Sequence, residues 1–395
     1  MSEPGIACAA GNNAADFWRT LTTGSQDGLV KVKTHSGRDF FAAKISDGAL
    51  KKTKARYDMR VIQIEDAALE QIAPAVNAAK QKYGAARVAV CVGCCDNGSE
   101  FSVAGHREYF EKGAFPKNYS LEIQSADYPA SYAKEKFGLA GPAYVFATAC
   151  SSSGSAIIKA AQLIQAGIVD AAVCGGVDVA SDTVLLGFDS LEAVSEQKTN
   201  PFSAARSGIT LGEGAAFFLL SKDNCPVELL GWGESADASH MTAPLADGSG
   251  ALAAMKEALA VSGLDASKID YVNLHGTGTK LNDSMEAKAV SEAFGQICAA
   301  LPCSSTKPMT GHTLGASSAV ELAACYCSIV NNDGASPDKI KLPLHVYDGD
   351  YDPELPRLNL IGRETEFNKE INVCMSNSFG FGGCNVSLII GKSNG

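Results

Sequence analysis

Cys150 stands at a junction. In "AYVFATACSSSGSAIIKAAQLI" (143–164) it follows a short apolar run that reads as a buried strand, and small residues behind it lead into a helical repeat. The first turn of a helix carries unpaired backbone N–H groups and the positive end of the dipole, which favour an anion. A thiol placed there is expected to have a lowered pKa and to be more thiolate at neutral pH, the form that acts as a nucleophile. The small neighbours leave room for a substrate. A lone cysteine also reads as a buried apolar residue, so position alone does not choose between the two.

Three further stretches bear on the choice. "NLHGTGTKLNDSME" (273–286) puts His275 at a strand end, followed by Gly276, Thr277, Gly278 and Thr279. The glycines let the backbone approach a ligand, and the threonine hydroxyls can bond a polar chain. Asp283 and Glu286 fit a helix start of the capping-box type, a structural role. "STKPMTGHTLGASSAVE" (305–321) sets Lys307 and His312 in a glycine-rich turn before a helix that would contain Glu321. A carboxylate buried there wants a cation, and Lys307 is the candidate. "SNSFGFGGCN" (376–385) is too rich in glycine for an ordinary strand or helix. Such a loop can offer backbone N–H groups to an oxyanion. Two of the chain's six histidines thus fall in glycine-rich strand-to-helix turns, while His35, His106, His240 and His345 sit in polar or mixed contexts and are given no role. There is no GxSxG around the serines, no completed GxGxxG and no P-loop, so a hydrolase elbow and a dinucleotide fingerprint are not supported.

These residues need strands and helices to hold them. Apolar residues at Ile157, Ala160, Ala161, Ile164 and Ile168 recur at helical spacing, with Gly167 as the stop. "ARVAVCVG" (86–93) and "VDAAVCGG" (169–176) read as buried strands. Strand, helix and strand in alternation imply a largely parallel, helix-covered sheet. The second half repeats this grammar. "KIDYVNLHG" matches "ARVAVCVG", the region from Cys303 to Val330 matches that of Cys150 with His312 in the cysteine's place, and "INVCMSNSFGFGG" matches "DAAVCGG". The expectation is an α/β chain of two related βαβ halves, with the crossing between them inside 223–250.

The 395 residues are 46% hydrophobic and 19% charged, ample for a large core. No apolar run is long enough to span a bilayer, and "MSEPGIACAAGNN" lacks the basic and apolar regions of a signal peptide. The thirteen cysteines lie scattered in apolar segments, unlike a disulfide framework, so a cytoplasmic protein is expected. "CVGCC" (91–95) has no partner pair at metal-site spacing and reads as buried strand, with metal binding the lesser alternative. The net charge of −11 argues against a nucleic-acid binder. "KKTKARYDMR" (51–60) supplies one candidate basic patch, either a solvated helix start or a contact for an acidic partner.

The ordered set "GNNAADFWRTLTTG", "ATACSSSGSAI", "NPFSAARSGITLGEGAA", "LHGTGTKLND", "TKPMTGHTLGASSAVE" and "SNSFGFGGCN" resembles the elongating β-ketoacyl-acyl-carrier-protein synthases of the thiolase-like superfamily, from about residue 5 to 393. The resemblance implies a thiolase-like α/β fold with similar halves at 1–225 and 226–395, layered α-β-α-β-α and assembled as a homodimer. It implies that Cys150 takes the acyl chain as a thioester, and that His275 and His312 assist malonyl decarboxylation. Lys307 would hold the His312 side of the site and pair with Glu321. The backbone N–H groups of Cys150 and Phe381 would form an oxyanion hole. Thr277 and Thr279 would contact a phosphopantetheine arm, and Phe379 and Phe381 would lie at the acyl pocket with Phe381 as a gate. The implied partner is an acyl carrier protein, docking at Lys54, Arg56 and Arg60 and bringing the phosphopantetheine with it; no resident cofactor or metal is implied. The implied reaction is decarboxylative Claisen condensation for fatty acid elongation. The alternative is a ketosynthase of an aryl-polyene or polyketide pathway, paired with a chain-length-factor-like subunit. Ser203 and Ser207 where aspartates are common, Cys384 in place of threonine and a short opening strand depart from the family pattern.

Overall fold

The computed structural model describes residues 1–336, 339–367 and 369–393. Apolar runs without helical spacing form strands buried on both faces, because helices cover both sides of the sheets. The first sheet runs β1 (Gly5–Cys8), β8 (Gly214–Ser221), β6 (Ala171–Asp178), β4 (Val88–Gly93), β5 (Ala143–Phe146). The second runs β9 (Val227–Ala236), β14 (Cys384–Lys392), β13 (Val373–Phe379), β10 (Tyr271–Asn273), β11 (Pro302–Ser304), β12 (Asn359–Leu360). Pairing directions agree strand for strand. The first two pairs in each order are antiparallel and the next two parallel. The second sheet is therefore a copy of the first with β12 added at its edge. A small third sheet joins β2 (Leu29–Lys33), β3 (Asp39–Ala43) and β7 (Leu211–Gly212).

Helices complete five layers. Between the large sheets α5 (Ser152–Gln165) and α10 (Ser317–Val330) pack on each other and on strands of both. Their approach is close: a Cβ at Gly154 would sit 2.7 Å from Val386 and 3.1 Å from Ser318. The outer layers are α2 (Arg60–Tyr83) with α4 (Tyr128–Phe137) on one side and α7 (Ser249–Ser262) with α8 (Lys280–Phe294) on the other. α1 (Ala14–Thr23) leans on α10, while α3 (Ser99–Lys112), α6 (Asp182–Ser190) and the single turn α9 (Lys307–Thr310) sit in the connections. None of the described helices is long and apolar enough to cross a membrane.

Three expectations shift. Segment 223–250 is not all crossing: β9 takes 227–236 as a ten-residue strand, leaving only the residues between β8 and β9 as connector. The glycine-rich loop is shorter than its motif, since 376–379 complete β13 and only Gly380–Gly383 stand outside the strands. The internal match has a different register. Ala149–Ser151 and Leu314–Ala316 are both 3₁₀ turns leading into fourteen-residue helices. Cys150 therefore corresponds to Gly315, and His312 lies three residues before the equivalent place.

Candidate active site

The turn that presents Cys150 is wound tightly. Ala149 has φ +52°, a left-handed conformation unusual for a residue with a side chain. The serines behind it hold this turn. The Ser151 hydroxyl donates to the Thr148 carbonyl at 2.8 Å, and that of Ser152 donates to the Ala149 carbonyl at 2.6 Å while accepting the Thr148 N–H at 2.9 Å. Ser153 accepts the N–H of Ala319 on α10 at 3.0 Å, tying the two halves together at the site. Leu314, at φ +54°, is the matching left-handed residue of the second half.

The second half delivers the imidazoles. His275 follows β10, and Glu286 on α8 accepts the N–H groups of His275 and Gly276, both at 2.7 Å. His312 is held between backbone neighbours, donating its N–H to the Thr210 carbonyl at 2.7 Å and accepting that of Gly212 at 2.9 Å. Its Nδ1 accepts the Leu314 N–H at 3.1 Å, so the ring hydrogen resides on Nε2, which lies 3.0 Å from the Cys150 sulfur. The two rings meet edge to face with centroids 5.4 Å apart. The sulfur and one nitrogen of each ring all lie within 4.8 Å of one another, and all three side chains are buried.

Lys307 is on the other imidazole from the one expected. Its ammonium is 3.2 Å from His275 Nδ1 and donates to the His275 carbonyl at 2.6 Å, because α9 starts beside the end of β10. It also pairs with Glu321, whose carboxylate accepts the hydroxyls of Ser317 at 3.0 Å and Ser378 at 3.4 Å. Burial first, and then the Lys307 charge, push both histidines well below their ordinary pKa. The rings are neutral at pH 7 and donate hydrogen bonds without carrying charge. A Cys-His-His set is one a zinc ion can use, but a dication here would stand beside the Lys307 ammonium.

The thiol departs from expectation. The backbone N–H groups of Phe381 and of Cys150 itself both reach the sulfur and, with Lys307, favour its anion, yet burial outweighs them and pushes the pKa up to about 11. The resting sulfur is a thiol. A helix-end dipole is worth roughly 0.3–2 kcal/mol, whereas taking a charge out of water costs several.

A cavity of about 360 Å³ opens over this group, with Thr277, Thr279, Leu281 and Ile209 on its walls. The Thr277 and Thr279 hydroxyls are 3.0 Å apart. Phe379 is buried with its ring centroid 5.9 Å from that of His275. Half-buried Phe381 stacks on Phe188 of α6 at 5.7 Å.

Comparison with known proteins resolves what this arrangement belongs to. The family model described as the β-ketoacyl synthase N-terminal domain matches residues 5–224, and that of the C-terminal domain matches 227–338. The chain belongs to the β-ketoacyl synthase family. It is a condensing enzyme of the acyltransferase class. A 3-oxoacyl-acyl-carrier-protein synthase 2 of Vibrio cholerae is 32% identical over 411 residues, spanning 98% of this chain and 96% of that protein. A ketosynthase from Xenorhabdus doucetiae, solved in complex with its chain length factor, is 36% identical with a TM-score of 0.90, covering 100% of this chain and 97% of that one. A β-ketoacyl synthase from Burkholderia phymatum is 26% identical with a TM-score of 0.84, covering 100% and 99%.

This synthase carries site residues that its motifs hid. Asp283 and Glu286 are no capping box: Thr279 caps α8, while Asp283 accepts the Phe202 N–H at 2.8 Å and Glu286 holds His275. Arg206, buried at the cavity wall, pairs with Asp352 at 2.5 Å and donates to the Ser203 carbonyl at 2.8 Å. An arginine in a run of small residues is the signal that marks it. The serines that replace aspartates still make loop contacts, Ser203 to Asp348 and Ser207 to Ser195, both at 2.9 Å. The basic cluster divides. Lys54 is exposed, and Arg56 lies over the Tyr57 ring with Glu135 and Glu122 as partners. Arg60 does not stand free for docking. Its guanidinium is bound to buried Glu213, to Asp47 and to the Ile45 carbonyl.

Proposed function

We propose that this synthase extends an acyl chain by decarboxylative condensation, with Cys150 as acyl acceptor and His275 and His312 as the groups that receive the malonyl thioester. The observation that carries the reading is one sulfur and two neutral, differently held imidazoles within 4.8 Å of one another at a cavity floor. The sulfur attacks an acyl thioester, the N–H groups of Cys150 and Phe381 hold the tetrahedral oxyanion, and its collapse breaks the carrier's C–S bond, the Cys150 proton leaving with the carrier sulfur as a thiol. A malonyl thioester then replaces the departed thiol. Its carboxylate leaves as CO₂, and the electron pair moves onto the thioester oxygen, which accepts hydrogen bonds from the imidazoles. The enolate carbon attacks the acyl group on Cys150, and the sulfur leaves.

In this reading Lys307 with Glu321 sets the tautomer and charge state of His275, Thr277 and Thr279 guide the phosphopantetheine arm, and Phe379 and Phe381 border the acyl chain. The arm arrives on an acyl carrier protein, and neither a resident cofactor nor a metal takes part. Lys54 and Arg56 remain the docking cations. The chain divides at 225/226, works in the cytoplasm, and assembles as a dimer. Fatty acid elongation fits the Vibrio relative; the identity to the Xenorhabdus ketosynthase over the whole chain favours a second reading, a specialised aryl-polyene or polyketide pathway with a chain-length-factor-like partner. Intact-protein mass spectrometry after incubation with saturated, unsaturated and aromatic acyl-carrier proteins tests both. Acyl mass must appear on the wild type and vanish in Cys150→Ala, and the starter that loads fastest separates the pathways. Loading that survives in Cys150→Ala refutes the reading.

A further inference from the structure

His345 lies outside the cavity and was given no role by its sequence context, yet it is buried and both ring nitrogens are engaged. Its Nδ1 accepts the Ser305 N–H at 3.1 Å, and its Nε2–H donates to the Pro201 carbonyl at 3.1 Å. Its ring packs on Phe202 and Tyr347, with centroids 5.8 and 5.1 Å away. Ser305 is a hub. Its hydroxyl donates to the Gly276 carbonyl at 2.7 Å and accepts the Lys307 N–H at 3.3 Å. Gly276 is wedged between the two loops: a Cβ there would lie 2.6 Å from Ser305 and 3.0 Å from the Phe202 ring.

We propose that His345 is a positioning residue for the decarboxylating side of the site. By pinning the 200–203 loop to the 304–307 loop it fixes Gly276 between them, and so sets His275 and the Lys307 ammonium against each other. Among the described residues none of the hydrogen bonds made by His345 or Ser305 ends on the Cys150 turn or on the His312 ring, and the thiol feels the linkage only through the Lys307 charge. Loss of His345 therefore slows CO₂ release far more than acyl loading.

The inference rests on the condensing reading above, and the test separates the two. One measurement follows label leaving a carboxyl-labelled malonyl thioester of an acyl carrier protein with no acyl group on Cys150. There the bond to the carboxylate breaks, CO₂ leaves, and the enolate carbon takes a proton from water to give an acetyl thioester. The other follows acylation of Cys150 by a carrier protein bearing a saturated chain. In His345→Leu the rate of CO₂ release is expected to fall roughly tenfold through the turnover rate rather than KM, because the loops that position His275 are no longer pinned, with loading within about twofold. His345→Gln keeps a donor and an acceptor and is expected to recover part of the loss. If the leucine variant does not fold, the glutamine variant alone must show loading kept and CO₂ release reduced. Unchanged CO₂ release, or both activities falling in parallel, overturns the inference. A wild type that loads acyl groups and releases no CO₂ overturns the condensing reading and the inference with it.

Discussion

Removing Lys307 tests whether its charge serves chemistry or only neutralises Glu321. In Lys307→Met the Glu321 carboxyl keeps only the Ser317 and Ser378 hydroxyls, at 3.0 and 3.4 Å. Breaking a buried pair on one side costs roughly 3–5 kcal/mol, while replacing both partners with apolar residues is close to neutral. Urea denaturation should therefore show Lys307→Met weakened by about 3 kcal/mol or more and Lys307→Met/Glu321→Leu restored to within about 1 kcal/mol of wild type. The deficit of the single variant depends on pH. Burial already raises the Glu321 pKa, and losing the ammonium raises it further. The folded state then keeps a proton that the unfolded state has released, so the deficit is absent below the ordinary value of 4.5 and grows as pH rises above it. Activity should not follow stability. Without the ammonium at its Nδ1, His275 loses the partner that fixes its tautomer, and CO₂ release should fall by roughly 10²–10³ in the single and double variants alike. Acyl loading also slows, because Lys307 is the strongest influence lowering the Cys150 pKa, but raising the pH restores loading and not CO₂ release. A double variant that regains both stability and CO₂ release refutes the reasoning and reduces Lys307 to a counter-ion.

Three more expectations follow from the site and the core. Alkylation of Cys150 by iodoacetamide should rise about tenfold per pH unit from pH 7, levelling only near a pKa of about 11; a plateau below pH 8 contradicts a buried resting thiol. Glu65 on α2 is buried with neither carboxyl oxygen bonded, and burial holds its pKa well above 4.5. Glu65→Leu should therefore gain stability over wild type as pH rises above 4.5, by at most about 1.4 kcal/mol per pH unit, and a urea midpoint difference that does not change between pH 5 and 8 counts against it. Charge reversal at Lys54 and Arg56 should weaken carrier binding in a salt-dependent way, whereas Arg60→Glu sets a carboxylate against buried Glu213 and should cost about 3 kcal/mol or more in folding instead; salt-independent affinity for the first pair removes the docking idea.

The sequence made the periodic elements legible and left the long-range contacts hidden. Strand β4 and helix α5 follow from apolar spacing, a local property, and so does the alternation that implies paired halves. Cys150, His275, His312, Lys307 and Glu321 were found because each falls in a motif whose composition is odd for an ordinary turn. What the motifs did not carry is which atoms meet. Lys307 lies five residues from His312 and thirty-two from His275, yet parallel pairing of β10 with β11 brings it to the latter. Glu286 reads as the end of a capping box until the backbone folds back and gives it two N–H groups. His345 has no motif because its partners, Ser305 and Pro201, are brought in by two separate loops.

The raised thiol pKa also explains the economy of the site. A sulfur that rested as an anion would hold the Phe381 and Cys150 N–H groups and the His312 Nε2–H before any substrate arrived. Because burial keeps it neutral, those donors are free to strengthen as charge develops, first on sulfur during attack and then on the oxyanion. The same reasoning applies to His312: with Nδ1 committed to the Leu314 N–H, a ring that took a second proton would be an ammonium-like cation beside Lys307, which that charge and burial both oppose. The imidazole is thus restricted to donating a hydrogen bond, and the thiol proton must leave by another acceptor. Substituting His312 by Gln, which can also donate, should therefore preserve far more acyl loading than substitution by Leu, measured by mass spectrometry. Equal loss in the two variants would mean that His312 takes the proton itself.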